Sequence, residues 1–315
     1  MFICTGLRAC APKSATPASF PDTEEDLARR RRLAVPAVEQ KTSLADLHLR
    51  AKTIRKEIIR STTTAGSGHP TSSLSGVEIA VALYFGGVLR YDPKNSHWPQ
   101  RDRFILSKGH AAPLLYAVLA EAGYFSKDLL PTLRKLDSPL EGHPNMRRLA
   151  GVEASTGSLG QGLSIGIGHA LATRLDGFDS RVYVLLGDGE MDEGQVWEAA
   201  MAAHKFKLDH LVAIVDLNGY QQTGATAEVL DLRPVPPRWE ASGWFTQEIN
   251  GHDLNEVLAA LKKAAQTKGR PSAIIAHTVK GYPITDVLGS DVNHHGKPLT
   301  PDQAKQAIAE IEKRP

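Results

Sequence analysis

Gly187-Asp188-Gly189-Glu190-Met191-Asp192-Glu193 follows the apolar run Val182-Tyr183-Val184-Leu185-Leu186. It is answered by Asp216-Leu217-Asn218-Gly219-Tyr220, which follows Leu211-Val212-Ala213-Ile214-Val215. Met191 to Lys207 between them reads as a helix. Strand, turn, helix, strand is a βαβ unit, expected to be right-handed with parallel strands. Both polar pieces then fall at the carboxyl ends of neighbouring strands, outside which ligands bind in open α/β sheets. Asp188 and Asn218 should therefore sit side by side. Two oxygen side chains beside a glycine turn suit a hard cation holding a phosphate. Gly-Asp-Gly alone also fits an ordinary turn with a capping Asp; the Asn-Gly ending the second strand shifts the reading to a site.

The chain has 315 residues, 42% hydrophobic and 23% charged, enough for one large or two modest globular domains. A net charge of +2 gives no strong pull toward nucleic acid or a membrane surface. The only cysteines, Cys4 and Cys10, do not make a disulfide framework, which fits a reducing, cytoplasmic setting. No apolar run approaches the roughly 20 residues of a transmembrane helix.

Residues 1–41 differ from the rest. Pro12, Pro17, Pro21 and Pro36 are spread among Ala, Ser and Thr, and Arg29 to Arg32 form a basic run. This reads as a disordered leader with at most a helical segment at 22–33. Met1 to Cys10 lacks the apolar core of a secretory signal. Arg8 and Lys13 among small residues suit a transit peptide, while the acidic stretch Asp22 to Asp26 argues against one.

Residues 42–315 read as the folded domain. Ser43 and Asp46 form a capping box, and Leu44, Leu47, Ala51, Ile54, Ile58 and Ile59 keep helical spacing. After the loop Gly66-Ser67-Gly68-His69-Pro70, a helix is predicted over 72–88. A short strand, 103–106, delivers Ser107-Lys108-Gly109-His110 to a helix over 111–122, a good phosphate corner. Residues 131–145 are irregular and carry Glu141-Gly142-His143-Pro144. Gly157-Ser158-Leu159-Gly160-Gln161-Gly162 opens a small-residue helix and lets backbone amides approach a ligand. Residues 221–237 read as a surface loop. A strand at 244–249, a helix at 254–267, a strand at 272–278 and a helix at 301–313 complete the domain, with His294-His295-Gly296 in the last loop. The fold class is α/β, a parallel sheet flanked by helices.

His69, His110, His143 and His295 each adjoin a Gly or Pro. One such histidine is usually structural. Four in ordered loops or at strand ends point to binding phosphate or hydroxyls and to moving protons near neutral pH. No pair has zinc-finger or zincin spacing.

From about Ser43 to Lys313 the chain resembles the amino-terminal half of transketolase. The matching pieces are Ser67-Gly68-His69-Pro70, Asp102-Arg103-Phe104 through Gly109-His110-Ala111, Glu141-Gly142-His143-Pro144, Ser158-Leu159-Gly160-Gln161-Gly162, Gly187-Asp188-Gly189 with Glu193, Asn218, and His295-Gly296. The resemblance implies the thiamine-diphosphate (TPP) binding fold known as the PP domain. It implies that Asp188, Asn218 and the Tyr220 carbonyl bind Mg²⁺, or another divalent cation, bridging the TPP diphosphate. His110, Gly189 and His295 would contact the diphosphate, as would the glycine loop at Gly157 and Gly160, with Gly187 in the same cofactor-binding turn. Leu159 would pack on the aminopyrimidine. Glu193 would lie at a subunit contact, supporting the glutamate that activates the cofactor. His69, His143 and His295 would face the reacting carbon. The implied reaction moves a two-carbon ketol unit from a ketose phosphate to an aldose phosphate.

A full transketolase is about twice this length, and its second half carries the pyrimidine domain with that glutamate. The resemblance therefore implies a split enzyme, completed by a C-terminal transketolase subunit in an α2β2 assembly. Ser158 stands where many full-length members have Pro. Two other readings fit these residues: a related enzyme that hands the two-carbon unit to a carrier-bound thiol, and a non-catalytic scaffold relic of the fold. The intact histidine set and Asp188, Glu193 and Asn218 disfavour the relic.

Overall fold

The computed structural model describes residues 42–288 and 294–314. The leader, with both cysteines and the Arg run, lies outside the described residues. Among the described residues, five strands form one sheet: β1 (Arg103–Leu106), β2 (Val182–Gly187), β3 (Leu211–Leu217), β4 (Phe245–Asn250) and β5 (Ser272–His277). Their order is β1-β2-β3-β5-β4, and every pair is parallel.

Parity along the strands divides the core. Phe104, Leu106, Tyr183, Leu185, Val212, Ile214, Ile274 and Ala276 join one buried cluster. Ile105, Val182, Val184, Leu186, Leu211, Ala213, Val215, Ala273 and Ile275 join the other. Both faces are covered, so the central strands read as unbroken apolar runs rather than alternating ones. The first face carries helices α1 (Leu44–Ala65), α2 (Pro70–Leu74), α3 (Val77–Phe85) and α4 (Ala112–Glu121). Across the sheet lie α5 (Gln161–Leu175) and α6 (Gly194–Lys205). The remaining helices are α7 (Thr226–Val229), α8 (Val235–Ala241), α9 (Leu254–Gln266), α10 (Thr285–Leu288) and α11 (Pro301–Lys313). Among the described residues no helix is long and apolar enough to cross a membrane.

The capping box at Ser43 and Asp46 is present. The helix expected over 72–88 is instead α2 and α3, separated at Ser75-Gly76. A Cβ on Gly76 would lie 3.0 Å from Leu114 and 3.3 Å from Leu185, so this break lets the backbone pack tightly on α4 and β2. The helix expected over 191–207 begins as a 3₁₀ turn, Gly189–Asp192, before α6. The stretch read as a surface loop contains α7 and the start of α8, whose first turn accepts Pro236 because its N–H would be unpaired there anyway.

Candidate active site

The register Gly187↔Asp216 puts the turns after β2 and β3 together. Asp188, only 4% exposed, accepts N–H bonds from Gly189 at 2.9 Å and Gly219 at 2.5 Å. Asn218 Oδ1 accepts the N–H of Tyr220 at 3.2 Å, which closes the turn carrying both residues. Burial and the neighbouring Asp216 push the Asp188 carboxyl up to about 6, against the pull of the two N–H donors and Lys108. A buried carboxylate under that stress favours a cation beside it. The expected ligand set holds one ionisable side chain. Among the described residues, no three His, Cys, Asp or Glu side chains gather to hold a metal by themselves. A cation here needs oxygen donors from its ligand, which is what a diphosphate supplies. A cleft of about 430 Å³ opens beside Asp188 and Asn218, walled by Met191, Leu217, Leu230 and Arg233.

Three of the four singled-out histidines converge. Ring centroids are 5.1 Å apart for His69–His110, 5.1 Å for His69–His295 and 5.2 Å for His110–His295. His69 is placed by Gly68, at φ 128, where a Cβ would meet Thr62 Cγ2 at 2.9 Å. His143 lies on the glycine loop: a Cβ on Gly157 would be 3.1 Å from its ring. Burial lowers all four. His69 falls to about 4 with help from Arg134, His143 and Lys280, and His295 to about 3 with help from Lys280, His69 and Lys108. His110 is held well below its usual value by burial and Lys108. His143 is lowered by burial and Arg134. Near neutral pH these rings are uncharged and can donate or accept through the appropriate nitrogen. Lys280 Nζ lies 3.1 Å from His295 Nδ1 and 3.2 Å from Ser72 Oγ. As the ammonium donates to Nδ1, His295 carries its proton on Nε2. His69 Nδ1 is buried and has no hydrogen-bond partner among the described residues.

Between the turn at Asp188 and the histidines lies a network that no sequence motif announces. Lys108, 1% exposed, pairs with Asp216, 0% exposed, and donates to the Ser72 carbonyl at 2.8 Å. Asp216 also accepts from Ser75 Oγ at 2.6 Å and from Thr278 Oγ1. An acid within an apolar strand is the signal that could have found this pair, since a buried charge needs a partner. Burial and Lys108 lower Lys280 to about 8, against Asp216 and Asp188. Glu190 is a second residue that sequence reasoning missed, although it stands within the Gly187–Glu193 stretch. It accepts the N–H of Gly160 at 2.9 Å, that of Gly187 at 3.0 Å, and the Ser107 hydroxyl. The Gly160 amide is thus used inside the protein, and the glycine loop is tied to the ends of β1 and β2. Leu159 is half-buried on that loop, whereas Glu193 is exposed at the start of α6.

The sequence profile described as "Transketolase, thiamine diphosphate binding domain" matches residues 48–312. The chain belongs to the transketolase family. The 6-deoxy-6-sulfo-D-fructose transketolase subunit SqwG of a Clostridium species is 44% identical over 85% of this chain and 97% of its own length. An apulose-4-phosphate transketolase subunit of Phocaeicola vulgatus is 39% identical over 85% of this chain and 94% of its own. Human transketolase is 45% identical over 83% of this chain, which spans 41% of the human protein. Among solved structures, Campylobacter jejuni transketolase superposes with a TM-score of 0.79 at 32% identity, covering 86% of this chain and 43% of that one. The transketolase fold thus supplies the parallel sheet and the strand-end turns described above.

Proposed function

We propose that this chain is the TPP- and Mg²⁺-binding subunit of a two-subunit transketolase. With a C-terminal, pyrimidine-domain subunit in an α2β2 assembly, it transfers a two-carbon ketol unit from a ketose phosphate to an aldose phosphate. The observation that carries this reading is the juxtaposition of two groups. The Asp188–Gly219 corner suits a cation, the three-histidine cluster with Lys280 suits an anion, and Asp188 lies close enough to act on the charge of Lys280. The relatives matched over nearly their whole length are named as transketolase subunits, which supports the two-chain arrangement. We take residues 42–315 as the cofactor-binding domain, with a cytoplasmic location.

Asp188, Asn218 and the Tyr220 carbonyl would hold the cation. His110, His295, Lys280 and the turn at Gly189 would face the diphosphate. Bound TPP supplies the nucleophile and electron sink for carbon–carbon cleavage, and the protein supplies position and charge. His295 offers an Nε2–H donor because Lys280 occupies Nδ1. His69 and His143 are uncharged near neutral pH, so each can take a proton from a substrate hydroxyl or return one. The buried Lys108–Asp216 pair holds the strand ends without meeting solvent.

The experiment combines this chain with its partner subunit. Asp188→Ala should abolish Mg²⁺-dependent TPP binding, and unchanged binding would sink the site assignment. The chain alone should show negligible ketol transfer from xylulose 5-phosphate or fructose 6-phosphate, and the partner should restore it. Robust turnover by the isolated chain would refute the two-subunit reading.

A further inference from the structure

The turn carrying Lys280 is held by a buried relay that begins in α1, where the Arg55 guanidinium lies 5.3 Å from the centre of the Tyr282 ring. Arg55 pairs with Glu78 on α3, and both are less than a tenth exposed. Burial tends to raise the Glu78 carboxyl, but Arg55 and His252 outweigh it and hold Glu78 below its usual range, so it is an anion. Glu78 Oε2 lies 3.1 Å from His252 Nδ1. On the other side of the ring, the N–H of Val279 donates to His252 Nε2 at 2.8 Å. An amide donor at Nε2 requires a lone pair there, which places the imidazole proton on Nδ1, donated to Glu78. The ring stacks on Tyr282, with centroids 3.9 Å apart and planes 24° apart.

The side chain of Val279 is 48% exposed, so packing does not hold that residue. Its N–H bond to His252 does, immediately before Lys280. Beyond Lys280, Gly281 N–H donates to the Thr71 carbonyl at 3.2 Å, and Tyr282 N–H donates to the Val279 carbonyl at 3.0 Å. The turn is therefore anchored on both sides of Lys280, with His252 holding the main chain before it and the Lys280–Ser72 bond holding the lysine itself.

We propose that His252 is a positioning residue for the anion-holding groups. Through the Val279 amide it sets the turn at 279–282, and with it the Lys280–His295 hydrogen bond and the tautomer of His295. The proposal rests on reading Lys280 and His295 as facing the diphosphate.

The test uses the full chain with ¹⁵N-labelled histidine, and inorganic pyrophosphate with Mg²⁺ as the probe. In the wild type, His252 should carry its proton on Nδ1 and His295 on Nε2. His252→Phe keeps a ring against Tyr282 and removes both hydrogen bonds. It should mix the His295 tautomers and weaken pyrophosphate binding on the order of tenfold. His252→Gln keeps an acceptor near Nε2 and should retain affinity to within about threefold. Glu78→Gln guards against a His252→Phe that fails to fold. Arg55 will claim the amide oxygen, so the amide NH₂ faces His252 Nδ1. That drives the imidazole proton to Nε2 against Val279, and the losses seen in His252→Phe should recur. Folded variants with an unchanged His295 tautomer and unchanged pyrophosphate affinity would overturn the proposal. If the wild type itself does not bind pyrophosphate with Mg²⁺, the diphosphate reading fails, and the tautomer comparison still decides the relay.

Discussion

Asp188 accepts the main-chain N–H of Gly219 across the ends of two adjacent strands, and this bond makes one corner out of two turns. Each carboxylate oxygen of Asp188 accepts one N–H, which leaves lone pairs for a cation. The other expected ligands, Asn218 and the Tyr220 carbonyl, are neutral oxygens. One protein charge holds Mg²⁺ weakly, so the cation and diphosphate should bind cooperatively. Titration calorimetry should show Mg²⁺ affinity rising by about tenfold or more when TPP is present. Mn²⁺ and Ca²⁺ should substitute, because all the donors are hard oxygens. Tight Mg²⁺ binding without diphosphate would contradict this corner.

Lys280 gives a pH signature. Its folded value is about 8, against 10.5 for an unperturbed lysine. Between those values the unfolded chain holds more protons than the folded one, so the ligand-free protein should gain stability as pH rises through that window. A bound anion favours the charged ammonium. Pyrophosphate binding near pH 8 should therefore take up protons, and its affinity should fall as pH rises above 8. Calorimetry in buffers of different ionisation enthalpy measures the uptake. Lys280→Met should remove this contribution; an uptake identical to wild type would show that the lysine does not face the anion.

Lys108 and Asp216 are a buried pair on which several other bonds depend. Asp216 also receives Ser75 and Thr278, and Lys108 also donates to the Ser72 carbonyl. Removing one partner leaves an uncompensated charge, which typically costs about 3–5 kcal/mol. Lys108→Met should lower the denaturation midpoint by a corresponding amount. The double variant Lys108→Met, Asp216→Leu should recover part of the loss, since an apolar pair carries no orphaned charge. A double variant worse than the sum of both singles would mean that Asp216 has a role beyond this pairing.

The residues behind these expectations differ in how far the sequence revealed them. Strand β1 falls at its expected residues, and β2, β3 and β5 lie within two residues of theirs, because burial on both faces leaves a strong apolar run. The meeting of Asp188 with the Asn218 turn follows from the βαβ unit alone. The convergence of His69, His110 and His295 does not. It joins three segments far apart in sequence; their Gly- and Pro-flanked positions suggest a shared role, and the family resemblance supplies the role of each. Glu190 and His252 were invisible as actors for a further reason. Each works through backbone N–H groups, which every residue except proline possesses, so no side-chain pattern advertises the partner. Gly76 and its helix break were missed because a single glycine within a helical pattern usually costs stability without ending the helix.

Glu190 offers the last test. Its carboxylate meets two main-chain N–H groups and one hydroxyl, from the glycine loop, the end of β2 and the end of β1. A carboxylate can accept on both oxygens, whereas glutamine has one oxygen and one NH₂. In Glu190→Gln the NH₂ must face an N–H donor, Gly160 or Gly187, and that amide loses its acceptor. A buried donor left unpaired costs about 1–3 kcal/mol. Burial raises the Glu190 carboxyl despite its donors, so removing the charge returns part of the cost and places the loss at the lower end. The loosened loop carries Leu159, the residue expected against the aminopyrimidine. The KM for TPP should therefore rise while kcat at saturating TPP stays near wild type. Thermal unfolding with and without TPP, together with initial rates across TPP concentration, separates the two effects. Wild-type stability and KM in Glu190→Gln would show that the glycine loop keeps its shape without the carboxylate.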